Sequence, residues 1–301
     1  MTHEVLAGWD GFFEWATLFY AMEDFDQEER DYKFRAVEPL IHSLELLSTG
    51  GEWLPELRRG FTNTSSNIVS FWVYTPFLAW ANENPDSAAK VMSELWTSSN
   101  VEGPTRIDSF GDLLPSDVLP GKGSRCNLAA FLLGAIDPIG WPNYRVTASK
   151  TAYELTRTPM PAPDYSLGER YGHALDFFDE VVRQAQERGI PSRDRPNGLS
   201  MDRLDAQGLM WCVTQWRDRP SNFTTEEWQG LLAYRSLPST LRKESAAKAQ
   251  KLKAPRRPAL PVCHLCGSTD EVIYVRPEGG RWKFVCEAGP GHPDPYEFLH
   301  G

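Results

Sequence analysis

The sequence predicts a mostly α protein: a multi-helix N-terminal domain and a small C-terminal zinc-binding β-hairpin module of zinc-ribbon or treble-clef-like type. Three observations predict it. Apolar residues recur at i, i+3 and i+4 spacing through residues 1–235, with no convincing alternating strand run among them. A basic, proline-bearing stretch, 236–261, then changes the composition and reads as a linker. Residues 262–301 carry three of the five cysteines beside two short β-rich runs.

In chain order, 9–22 reads as a helix with Phe12, Trp15, Ala16 and Phe19 on one face. A second helix starts near Asp26, where Glu28 and Glu29 suit the positive end of its dipole, and continues toward Leu47. Pro39 must kink or split it, because proline interrupts the backbone ladder, and Gly50-Gly51 closes it. Residues 67–81 form the next expected helix, with Val69, Trp72, Val73 and Trp80 sharing a face and Pro76 implying a bend. Asn84-Pro85 supplies a cap and a first-turn proline for a helix that buries Ala88, Val91, Met92, Leu95 and Trp96. Residues 99–123 read as irregular, because Gly103-Pro104, Pro115, Pro120 and Gly121-Lys-Gly123 punctuate them.

Residues 124–136 form the expected central helix, where Leu128, Phe131, Leu132, Ala135 and Ile136 give a broad apolar face. Asp137-Pro138 stops it, since a residue before proline is pushed out of the α region. A short helix over 148–156 and a loop over 159–163 follow. The clearest helix is 169–188: Tyr171, Ala174, Leu175, Phe178, Val181, Val182 and Ala185 keep helical spacing, and Gly189 stands where a C-terminal glycine belongs. Ser200 is the expected cap of a helix burying Leu209, Cys212, Val213 and Trp216, and Thr224 or Thr225 opens a last one through Tyr234.

The formal net charge is −10, which excludes a protein that coats nucleic acid over its whole surface. The charge is uneven. Residues 1–60 hold thirteen acids against five Lys and Arg, whereas 235–257 holds eight Lys and Arg against the single acid Glu244. A phosphate-facing surface is therefore expected toward the C-terminal end, from Arg242, Lys243, Lys248, Lys251, Lys253, Arg256 and Arg257, joined by Arg281 and Lys283. No run approaches the ~20 apolar residues of a membrane span. The N-terminus lacks the basic region of a secretory signal, so a cytoplasmic, reducing setting with no membrane partner is expected.

Cys263-His-Leu-Cys266-Gly267 is a C-x2-C knuckle. Two strands are expected next, 271–275 and 281–285, joined at Pro277-Glu-Gly-Gly280, with Cys286 closing the second and His292 six positions later. Cys263, Cys266, Cys286 and His292 make three thiolates and an imidazole, the tetrahedral set of a structural zinc. A segment of this length has too little core to fold without such a staple. His264, Asp294 and His300 compete with His292 for the fourth position.

No HExxH and no GxxxxGK[ST] occurs, and no His-Asn-His pattern accompanies the cysteines. Gly121-Lys-Gly-Ser124 could hold an anion on helix N–H groups, but its spacing is wrong for a nucleotide loop and a plain turn reads better. His42 and His173 read as ordinary helix residues, and Cys126 and Cys212 as small hydrophobes. One polar constellation stands apart: Asp137, Tyr144, Arg145, Arg193, Asp194, Asp202, Arg203 and Asp205. Carboxylates near arginines could hold Mg²⁺ or phosphate, and a satisfied ion network predicts the same residues. No nucleophile–base pair can be assembled, so no catalytic residue is assigned.

Phe12-Phe-Glu-Trp15 with Phe19-Tyr20, Glu28-Glu-Arg-Asp-Tyr-Lys33, Ala130-Phe-Leu-Leu-Gly-Ala-Ile-Asp-Pro138, Pro142-Asn-Tyr-Arg145, and Arg203-Leu-Asp-Ala-Gln207 with Met210-Trp211 carry a resemblance. Together, over 9–216, they resemble the N-terminal helical region ahead of the AAA+ motor in McrB-type modification-dependent restriction proteins. After that region the chain departs: a basic linker and a zinc hairpin stand where the motor's phosphate loop would begin. Neither nucleotide hydrolysis nor catalytic residues therefore carry over from the resemblance. With the basic linker and the zinc finger, it points to a DNA-associated accessory or recognition protein of an anti-phage defence system, more readily a binding protein than an enzyme. A protein–protein adaptor for a motor or nuclease subunit, or a Mg-dependent nuclease using the polar constellation, are the alternatives.

Overall fold

The computed structural model describes residues 8–62, 68–97, 101–193, 200–252, 272–275 and 283–286. The fold is mostly α, with eleven α-helices and one two-stranded hairpin among the described residues. Contacts divide the chain into two units, Met1–Thr240 and Leu241–Gly301.

The first unit opens with α1 (Trp9–Tyr20), which buries Phe12, Phe13, Trp15, Ala16 and Phe19. A π-helical turn, Gln27–Asp31, leads directly into α2 (Tyr32–Thr49). Wide turns of this kind recur where a helix must present side chains that a regular turn would not, and here Glu29, Arg30 and Lys33 are all buried. The helix is not split at Pro39, which is itself buried within α2 beside Ala36, Val37 and Leu40. Losing one ladder bond costs about 3 kcal/mol, and the packing of this apolar face offsets it. Gly50 ends α2 at φ 74°, a left-handed position that favours glycine.

α3 (Leu54–Thr62) lies against α2. In α4 (Phe71–Glu83) the buried residues are Phe77, Leu78 and Ala81. The expected face is therefore shifted: Val69 is buried but precedes the helix, Val73 and Trp80 are half-buried, and Trp72 is 80% exposed, with Phe71 beside it 56%. α5 (Pro85–Trp96) buries the five residues its spacing predicts. Asn84 stands at its N-cap without a side-chain cap bond. Its amide instead donates to Trp80 O at 3.0 Å and closes α4.

The stretch expected to be irregular holds α6 (Gly103–Leu113). Pro104 sits in its first turn, where proline is favourable. The glycines that looked like breakers serve packing: a Cβ on Gly103 would lie 2.6 Å from the Trp141 ring, and one on Gly111 2.4 Å from Leu167. α7 (Lys122–Leu133) is buried along its whole length from Arg125, as a central helix must be, and packs on α2, α4, α5, α6 and α9 (Leu167–Glu187). α9 contains residues from 167 to 187, and a capping box between Ser166 and Glu169 starts it.

α8 (Val146–Thr156), α9 (Leu167–Glu187) and α1 surround α10 (Arg203–Gln215). Asp202 caps α10 rather than the expected Ser200; its carboxylate accepts from Asp205 N at 3.0 Å, and Asp205 returns the bond. Thr224 caps α11 (Thr225–Leu252) in the same reciprocal way with Glu227. Leu231, Tyr234 and Pro238 of α11 are buried in the first unit. In the second unit β1 (Val272–Val275) pairs antiparallel with β2 (Lys283–Cys286), placing Val272 opposite Cys286. No helix among the described residues is long and apolar enough to cross a membrane.

Candidate functional site

Arg145 is the N-cap residue of α8, and the turn before it brings its guanidinium over the Trp211 ring of α10, 4.8 Å from the ring centre. This pair forms the shared wall of two adjoining hollows. One, of about 300 Å³, is lined by the first turns of α7 and α8 at Gly123, Ser124 and Thr147, by Val73, and by Gln215 one turn beyond Trp211. The other, of about 380 Å³, is lined by Glu28 and Glu29 of the π-helical turn with Tyr32 and Arg35. Neither α7 nor α8 has a side chain accepting from its first-turn N–H groups: Gly121 has none to offer and Arg145 can only donate.

Burial governs the electrostatics. Glu29 is only 3% exposed, and burial raises its carboxyl above the ordinary range although Lys33 Nζ at 3.1 Å opposes the shift. Burial pushes the Tyr32 phenol well up, aided by the nearby Glu29 charge. It lowers the Arg145 guanidinium, against the pull of Tyr32 and Glu29. The first hollow thus has Arg145 and helix N-termini at its edge, and the second has Glu28 and Glu29 together with Arg35 and Arg145, with Glu29 paired to Lys33.

The polar constellation read from the sequence does not assemble in one place. Asp202 and Asp205 do meet, around Arg30: Nη1 lies 2.9 Å from an oxygen of each, and Nη2 lies 2.7 Å from Asp202 Oδ2. With the capping bonds to their own backbone, all four carboxylate oxygens are engaged. This is a satisfied ion network, buried at Arg30 and Asp205. Arg203 forms a two-pronged pair with Asp179 at 2.6 Å and donates to Gly140 O. Asp137 caps its turn, accepting from Ile139 N and Gly140 N. Arg193 donates to the carbonyls of Tyr20 and Glu23 and pairs with Asp26 at 3.2 Å, pinning the end of α1. Tyr144 is buried, its phenol raised to about 12 by desolvation, and Asp194 lies outside the described residues. Among the described residues of this set, only Arg145 lines the cleft.

Arginines bind carbonyls elsewhere too. Arg235 donates to Cys212, Val213 and Trp216 O at 2.6, 2.7 and 2.6 Å, a cation on the negative end of α10. Burial lowers it to about 10. It is the one basic residue of 235–257 whose side chain is described, and it serves the core.

Arg242, Lys243, Lys248 and Lys251 lie on α11, and Lys283 and Cys286 on β2. Lys253, Arg256, Arg257, Arg281, Cys263, Cys266 and His292 lie outside the described residues. No group of three or more His, Cys, Asp or Glu placed to hold a metal exists among the described residues. Cys126 and Cys212 are buried free thiols, both raised by desolvation, which makes them inert packing residues.

The residues that complete the cleft were not visible as a set in the sequence. Glu29 and Lys33 carried one usable signal, an i,i+4 pair of opposite charge on a helix. Trp211 carried none beyond its size. The chain matches no family model, no curated protein and no solved structure.

Proposed function

We propose that this is a cytoplasmic, DNA-associated accessory protein, in which a helical body carries a basic arm and a zinc-stapled hairpin. The observation behind it is charge placement. Seven Lys and Arg stand against one acid over 241–257, in a chain whose net charge is −10. Arg242, Lys243, Lys248 and Lys251 share the helical backbone of α11, and the proposed phosphate contacts continue through Lys253, Arg256, Arg257, Arg281 and Lys283. Such contacts give affinity with little sequence choice.

The zinc reading rests on Cys263, Cys266, Cys286 and His292 and gains support from strand register. Because Val272 pairs with Cys286, the chain leading into β1 and the chain leaving β2 share the open end of the hairpin. The C-x2-C knuckle precedes that end and His292 follows it. Four protein ligands leave no position for a reactive water, so this zinc is structural. The resemblance of residues 9–216 to McrB-type helical regions supports a role beside a restriction-type defence machine.

Fluorescence anisotropy of the full chain on duplex DNA across a salt series tests the arm. Engaging most of the basic residues gives a log–log slope of roughly −5, reduced when Lys248 and Lys251 are both changed to Glu. Binding that ignores salt defeats the reading. The same titration on modified and unmodified DNA reads any base preference.

Phe71 and Trp72 favour a second reading, a protein–protein adaptor, because two large adjacent aromatics stand exposed at the start of α4. Co-purification of a motor or nuclease subunit, without a DNA shift by the isolated chain, selects it.

A further inference from the structure

The second hollow, of about 380 Å³, lies within the size range of small-ligand sites, roughly 300–1,000 Å³. Four charged side chains line it: Glu28, Glu29, Arg35 and Arg145. Two of them are already met inside the fold. Lys33 Nζ holds Glu29 at 3.1 Å, and the Arg145 guanidinium lies over the Trp211 ring, 4.8 Å from its centre. Glu28 and Arg35 remain, both exposed, and among the described residues neither forms an ion pair. Seven residues of helix, about 10 Å of rise, lie between them. Glu28, Tyr32 and Arg35 follow at i, i+4 and i+7 spacing, which sets them along one side of the helix, and all three line the hollow. The stripe therefore runs from an anion, across an aromatic ring, to a cation.

We propose that this hollow binds a short zwitterionic peptide of about three residues. Its ammonium donates to Glu28, and its carboxylate accepts from Arg35 in the two-pronged manner that a guanidinium favours. Its central side chain lies against Tyr32 and Trp211. Three extended residues span about 10 Å, which matches the separation of the two charges. A free amino acid carries both its charges on one carbon and reaches only one of them. A dianion meets Glu28 and a diamine meets Arg35, so each is repelled at one end. The site lies in the helical unit and is independent of the basic arm.

Calorimetric titration of the full chain with glycyl-phenylalanyl-glycine, its N-acetyl, C-amide and doubly blocked forms, and free phenylalanine tests this. The unblocked peptide is expected to bind, and blocking either end should weaken it about fivefold, the most that one exposed ion pair gives. Free phenylalanine should bind more weakly than the tripeptide. Glu28→Arg and Arg35→Glu, both at exposed positions, should each weaken the peptide by more than blocking does, since each sets like charge against one terminus. The double variant Glu28→Arg/Arg35→Glu should restore binding, with the peptide reversed. Rescue of that kind separates charge recognition from damage to the fold. The double variant Arg256→Gln/Arg257→Gln should bind the peptide like the parent, whatever it does to DNA binding. No heat from the unblocked peptide at millimolar concentration overturns the proposal. So does a doubly blocked peptide that binds as tightly as the unblocked one, or a charge-exchanged double variant that stays as weak as its single parents.

Discussion

Arg30 meets Asp202 across 172 residues of chain, in a two-pronged contact of 2.9 and 2.7 Å that joins the π-helical turn to the start of α10. The same guanidinium reaches Asp205, whose side chain is fully buried. Removing it strands a carboxylate that solvent cannot reach. Arg30→Met is therefore expected to cost about 3–5 kcal/mol in urea denaturation. Arg203→Met, which breaks a pair whose side chains are 31% and 50% exposed, should cost no more than about 1 kcal/mol. Equal losses in the two variants would mean that Arg30 does not hold the network together.

Glu29 gives a pH dependence with a definite sign. Its carboxyl titrates near 4.5 when unfolded and higher when folded, because burial outweighs Lys33. Glu28, Tyr32, Cys212 and Arg145 also bear on this corner. Between the two values the folded state binds more protons, so this group's contribution to stability falls as pH rises. Gln at this position can still accept from Lys33 and cannot ionise. Relative to the parent, Glu29→Gln should gain stability as pH rises from 4.5, by up to about 1.4 kcal/mol per unit. A difference that stays flat with pH would show that burial does not dominate here.

Two glycines of α9, one turn apart, are expected to respond oppositely to alanine. At Gly168 a Cβ would stand 2.2 Å from Pro104 O and 2.5 Å from Asp108 Oδ2, and that carboxylate also holds Gly168 N at 2.7 Å. Neither neighbour can retreat without breaking the α6–α9 contact. At Gly172 the nearest atom is Pro104 Cγ at 3.8 Å, ordinary contact. Gly168→Ala should cost about 2–4 kcal/mol by overpacking, while Gly172→Ala, at a half-buried helix position with room for a methyl, should gain up to about 1 kcal/mol. Thermal melts of both variants read this directly.

These particulars show what was legible in the sequence. α5 and α9 were, because their apolar spacing is dense and local. α6 was hidden, since Gly103 and Gly111 look like breakers until Trp141 and Leu167 are seen filling the space beside them. Size and spacing assign Trp72 inward, yet no neighbour among the described residues covers the start of α4 enough to bury it. Ser200 and Asp202 are equally good caps on paper, and Arg30 makes the choice by pairing with the carboxylate. The cleft depends on the same kind of distant meeting: Glu29, Arg145 and Trp211 come from three separate parts of the chain, and nothing in the sequence groups them.

The hairpin supplies the last prediction. Four residues pair in each strand, too few to hold a fold in water without further support. If Cys263, Cys266, Cys286 and His292 close around one Zn²⁺, metal binding and hairpin formation are a single equilibrium. The purified chain should then retain about one zinc, measured by elemental mass spectrometry, and strong chelation should remove it. Chelation should also erase the amide-exchange protection of Val272–Val275 and Lys283–Cys286, while α7 and α10 keep theirs. Cys286→Ser should do the same without chelator. Replacing His292, and separately His264, Asp294 and His300, by Ala identifies the fourth ligand: only the true one lowers zinc content. Hairpin protection that survives metal removal would mean that something other than a metal holds the strands.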